Sequence, residues 1–206
     1  MKAKIIIITM GIILIIGGIF IYYKYFKKIE EKPIDPEIID TIDQFGYTLS
    51  NNDPEIFENE FENLRTVLKS DEIDYEQYAI SLSKLFIIDF YNLQTKINKY
   101  DVGGLEYIHP TIKDNFELKA MDTIYKYIED NSDNKRNQEL PQINNIILID
   151  IDLENEYKID KNNVASIVVN LEWTYMKDLS YDSKAQITLI KDDRKLVIVD
   201  IQTKTG

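Results

Sequence analysis

Few side chains in this 206-residue chain have the chemistry to make or break bonds, and their spacing limits what each could do. His109 is the one histidine and there is no cysteine, so an ordinary zinc site cannot be built around it. As a lone acid or base it would need an orienting partner and a pocket. Asp89 lies inside the apolar run Leu85-Phe86-Ile87-Ile88-Asp89-Phe90-Tyr91. A carboxylate buried there must find a Tyr, a Lys or a backbone amide, because an unpaired ion in a core is very costly. That structural reading is preferred to a functional acid. Gly103-Gly104 lacks the further glycines or the Lys-Ser/Thr pair of a phosphate loop and reads as a turn. Asp130, Ser132 and Asn134 alternate like calcium ligands. Lys135 stands where that loop needs glycine, however, and Pro141 where it needs the bidentate glutamate. Asp150, Asp152, Glu154 and Glu156 form a row that could hold a divalent ion, but a solvated sheet face neutralised by Lys177, Lys184 or Lys195 is the simpler reading. No catalytic, cofactor-binding or metal-binding residue is assigned, and the chain is expected not to be an enzyme.

The elements that would position these residues follow from periodicity. Asp35-Pro36-Glu37 has the form of a helix start, and Ile38, Ile39, Ile42, Phe45 and Leu49 follow at helical spacing. Asp53-Pro54-Glu55 repeats the signal before a second helix that ends near Ser70. A third helix is predicted from about Tyr75 to Ile97 and a fourth from about Thr111 to Ile128. The third is apolar on several sides and should be central. Residues 129–142 read as a polar connection. From Ile143 the period becomes two, giving four strands: one from Ile143, a second containing 165–175, a third over 183–191 and a fourth over 195–203. Positions 147, 149, 151, 167, 169, 171, 197, 199 and 201 are expected to face inward, with Trp173, Phe86 and Phe116 filling the space between helices and sheet. Helices followed by an antiparallel meander make an α+β fold, in which helices pack on a C-terminal antiparallel four-stranded sheet.

Ahead of all this, residues 5–23 carry no charge and would span about 28 Å as a helix, at roughly 1.5 Å per residue. An N-terminal transmembrane helix is expected, since the run passes into Tyr22, Tyr23 and Lys24 rather than a small-residue cleavage site. The organisation is then a membrane anchor over 1–28, a juxtamembrane linker over 29–36 and an α+β domain over 37–206. Lys24, Lys27, Lys28 and Lys32 outnumber Lys2 and Lys4, which favours a cytoplasmic domain. The four-residue tail ahead of the single apolar run is the form of a signal anchor, and this places the domain outside the cytoplasm in the cell membrane. From Ile29 onward 19 basic side chains face 36 acidic ones, a formal −17. That charge repels nucleic acid and anionic lipid and favours basic partners. The expected partners are the bilayer through residues 5–23 and other proteins, with self-association among the options, and no nucleic acid.

This order of elements resembles the membrane-anchored NTF2-like domains of VirB8 and TcpC proteins in conjugation and type IV secretion machines. Phe45–Leu49, Leu85–Leu93 and Asn98–Pro110 are also similar to an uncharacterised group of single-pass proteins from low-GC Gram-positive bacteria. The first resemblance implies a non-enzymatic assembly subunit; the second implies no activity. The competing class is a small-ligand-binding or enzymatic NTF2-like domain with a cavity between helices and sheet. It would require inward polar groups, of which only Asp89 and tyrosines are available.

Overall fold

The change of period at Ile143 marks the sheet. A computed structural model describes residues 36–159 and 161–204; the expected membrane span at 5–23 lies outside them. Among the described residues no helix is long and apolar enough to cross a membrane.

The chain runs through strands β1 (Ile38–Ile42) and β2 (Tyr47–Ser50), helices α1 (Glu55–Leu68) and α2 (Tyr75–Tyr91), and a 3-10 turn at Leu93–Thr95. Helix α3 (Pro110–Asp122) and strands β3 (Ile143–Ile159), β4 (Asn162–Tyr175), β5 (Lys184–Asp192) and β6 (Lys195–Lys204) follow. The last four form one antiparallel sheet in sequence order, while β1 and β2 pair separately. Among the described residues the fold is α+β, with three helices and a four-stranded antiparallel sheet.

The first predicted helix is a hairpin instead. Four of the five residues in β1 are β-branched, and Tyr47 and Leu49 are buried while Thr48 and Ser50 are half-buried, a period-two signal inside a stretch read at 3.6. Gly46 takes a φ of +67°, and its N–H and that of Phe45 both donate to the Ile42 carbonyl at 2.9 Å, closing the turn.

Helix α2 begins on Asp74, whose Oδ1 accepts from the N–H groups of Glu76 and Gln77 at 3.0 and 3.1 Å. It stops at Tyr91, six residues short of the predicted Ile97. Asn92 leaves the helical region, and its side-chain oxygen accepts from the Ile143 N–H at 3.0 Å, tying the helix end to the start of the sheet. Twelve of the 17 residues of α2 are buried, so the expected central helix is central.

Helix α3 also ends early, at Asp122 rather than Ile128. The turns that follow place Tyr125 in the core, where its hydroxyl donates to the Phe90 carbonyl at 2.7 Å and accepts from the Gly103 N–H at 3.1 Å.

Bulges redistribute the inward positions of the sheet. Registry slips between Ile143 and Asn145, past Ile149 and again between Asp152 and Asn155, so β3 sets Ile146 and Ile151 against the core, in register with Trp173 and Val169. Ile147 and Ile149, expected inside, are exposed, and so is Leu153. A bulge in the β5–β6 pair skips Val199, which puts Leu196 and Ile198 in the main core. Val197 and Val199 instead join Ile190 in a second cluster, which Tyr157, Ile159 and Val164 from the β3–β4 arm cover. Strict alternation cannot survive an inserted residue. Trp173 and Phe86 fill the main core as expected, but Phe116 is only half-buried.

Candidate functional site

Three surfaces bring chemistry-bearing residues together. The first surrounds Asp89. Gly103 approaches α2 so closely that a Cβ there would stand 2.3 Å from the Asp89 carbonyl oxygen, and Gly104, at φ +78°, lies against the Phe86 ring. This approach delivers the Gly104 N–H to Asp89 Oδ2 at 2.6 Å, while the Lys96 ammonium donates to Oδ1. Both carboxylate oxygens are occupied, which is the structural role.

Around that pair lies an open hollow of about 210 Å³ that also reaches Asp53, Asp101 and Glu106. Asp101 accepts from the Ile97 N–H at 2.8 Å, and Glu106 accepts from the Thr48 hydroxyl at 3.0 Å. One lysine thus faces four carboxylates. Burial pushes the Asp53 carboxyl up to about 6, against the Ser50 N–H that lowers it, and the Asp89 charge adds to the rise. Burial also raises Glu106. Burial alone would lower Lys96, but Asp89, Tyr125 and Asp101 more than reverse it and hold the ammonium charged. Among the described residues no group of three or more His, Cys, Asp or Glu side chains could hold a metal ion. No tyrosine hydroxyl converges with Asp89 in the hollow: Tyr125 spends its hydroxyl on Phe90 and Gly103. The cluster can store protons and pin the 101–106 loop to α2.

His109 lies apart from this cluster. Its Nδ1 accepts from the Thr111 N–H at 3.2 Å, capping α3 ahead of Pro110. Its backbone N–H donates to the Ile198 carbonyl at 2.9 Å, and the Tyr107 carbonyl accepts from the Ile198 N–H at 2.8 Å. Residues 107–109 therefore run beside part of β6 and cover it.

The second surface is β3, the sheet's other edge. Ile147 is 47 % exposed, Leu148 37 %, Ile149 55 % and Leu153 47 %, an apolar stretch on a strand with no neighbour on its outer side among the described residues. The carboxylates Asp150, Asp152, Glu154 and Glu156 share this strand and are exposed. The lysines expected to neutralise them are engaged elsewhere. Lys177 pairs with Glu139 and Lys184 with Glu172, while Lys195 donates to the Phe45 carbonyl at 2.9 Å above the Tyr47 ring. Asp152 and Glu156 are bonded by the neutral amides of Asn155 and Asn163. Sequence spacing could not reveal this, because cross-strand partners depend on where the bulges fall.

The third is an open cavity of about 700 Å³ between α3 and the exposed end of β6, walled in part by Phe116 and Tyr157. Neither the family models, nor the curated proteins, nor the solved structures include a match to this chain.

Proposed function

We propose that the chain is a non-enzymatic, membrane-tethered interaction module that docks a partner protein along β3, as a VirB8- or TcpC-like assembly subunit of a conjugation or secretion apparatus would. The observation that carries this reading is the β3 edge itself. An open strand with exposed Ile147, Ile149 and Leu153 is a template for an added strand. Carboxylates on the same strand, without lysine partners among the described residues, favour a basic segment. Like charges at Asp150 and Asp152, with the bulges beside them, disfavour pairing of β3 with a second copy of itself. The tether at residues 5–23 would confine the domain to the membrane, outside the cytoplasm.

The test is photocrosslinking of the full chain in native membranes, with the crosslinker at Ile149 or, as a control, at exposed Glu58 on α1. A discrete heavier adduct from position 149 alone supports the proposal. Equal adducts from both positions, or none from 149, overturn it. An adduct at twice the mass of the chain identifies a second copy and overturns the choice of a basic partner.

A further inference from the structure

The cavity between α3 and β6 has a polar group that the chain does not use. Tyr91 is 3 % exposed, lines the cavity, and its hydroxyl has no hydrogen-bond partner among the described residues. The hydroxyl opens on the cavity, where a ligand donor or acceptor can take the place of water. Around it stand the rings of Phe90, Phe116, Tyr157 and Tyr181, with Ile112 and Ile124 contributed by α3 and the turn after it. Phe90 meets Tyr91 edge-on at 4.9 Å between centroids, and Phe116 lies 5.0 Å from Phe90, so the floor is a continuous aromatic surface.

Charge at the cavity is biased. Asp182 and Asp200 line it against a single Lys119. The Asp182 carbonyl accepts from the Tyr175 hydroxyl at 2.6 Å, which fixes the 180–182 loop over the opening. Asp182 and Tyr91 line the same cavity, and burial first and the Asp182 charge second raise the Tyr91 phenol above its usual range.

We infer that this cavity binds a small organic amine with an aromatic or branched apolar body. The ammonium would bond Asp182 and the Tyr91 hydroxyl, and the body would lie on Phe90 and Phe116. Aromatic walls add attraction for a cation over their faces. The volume of about 700 Å³ falls inside the roughly 300–1,000 Å³ range of small-molecule sites. A carboxylic acid of the same shape would meet two like charges, and a neutral alcohol would forgo the ion pair.

The chain supplies its own reporter. Trp173 is its single tryptophan and packs on Tyr91 with ring centroids 4.8 Å apart. The experiment titrates 2-phenylethylamine, 2-phenylethanol and phenylacetate into the full chain in a non-ionic detergent and follows Trp173 fluorescence. The expected order is amine, alcohol, acid, with the amine about ten-fold tighter than the alcohol. Asp182→Asn should bring the amine to the alcohol's affinity and leave the alcohol unchanged, while Tyr91→Phe should weaken both polar probes a few-fold. Thermal midpoints verify that the variants fold. Should Asp182→Asn not fold, Asp200→Asn removes the other carboxylate and should also narrow the gap between amine and alcohol. No saturable response to the amine by about 10 mM, where binding would be worth under about 3 kcal/mol, overturns the inference. Equal affinity for all three probes, marking an unselective apolar hollow, also overturns it.

Discussion

At the scale of single residues, the glycine pair and the acids around Lys96 have consequences that can be measured. A methyl group at position 103 would need to share space with the Asp89 backbone oxygen 2.3 Å away, and neither can yield without moving α2. Gly103→Ala should therefore cost about 2–3 kcal/mol in urea unfolding. Asp53 bears on pH. The folded chain holds its proton more tightly than the unfolded one. Stability from that proton is thus fully present below pH 3.8 and is lost as pH rises through about 6. Asp53→Asn keeps an acceptor for the Ser50 N–H and removes the charge. It should raise neutral-pH stability by about 1 kcal/mol, a figure discounted for partial exposure, and flatten the pH profile across that window. Thermal melts from pH 4 to pH 7 test both effects, and a variant less stable than the parent at pH 7 would contradict this account.

Elements differed in how much of them the sequence disclosed. Helices α1 and α2 and strands β3 to β6 repeat their period over nine or more residues, and each was legible in type. The β1–β2 hairpin was not, because Ile38, Ile39, Ile42, Phe45 and Leu49 suit either period and the Pro36 start signal tipped the reading toward helix. The early ends of α2 and α3 were hidden for another reason. Asn92 and Tyr125 stop those helices to reach Ile143 and Phe90, far away in sequence, and only tertiary structure makes those bonds worth forming. The acidic row on β3 was visible at once; its lack of lysine partners was not. Ile147→Lys and Ile149→Lys change solvated positions, so each should shift stability by no more than about 0.5 kcal/mol while placing positive charge against a basic partner. If crosslinking at a neighbouring β3 position survives both changes, β3 is not the docking edge.

For the whole molecule, the charge of −17 from Ile29 onward governs encounters at distance. Association with a basic partner should weaken steeply from 50 to 500 mM salt, because the Debye length shrinks to a few Å over that range. A salt-insensitive complex would point to the apolar residues alone. Protease added outside intact cells tests the topology: cleavage after Ile29 is expected, and full protection would place the domain in the cytoplasm. The second cluster on the sheet has a different kind of consequence. Tyr157 belongs to the β3–β4 arm, its hydroxyl donates to the Val199 carbonyl at 3.2 Å, and it also walls the cavity beside α3. If the arm lifts, Ile190, Val197 and Val199 lose their cover at the moment the cavity loses a side. Amine release and deuterium uptake at Val197 and Val199 would then follow one clock, set by the motion of the β3–β4 arm.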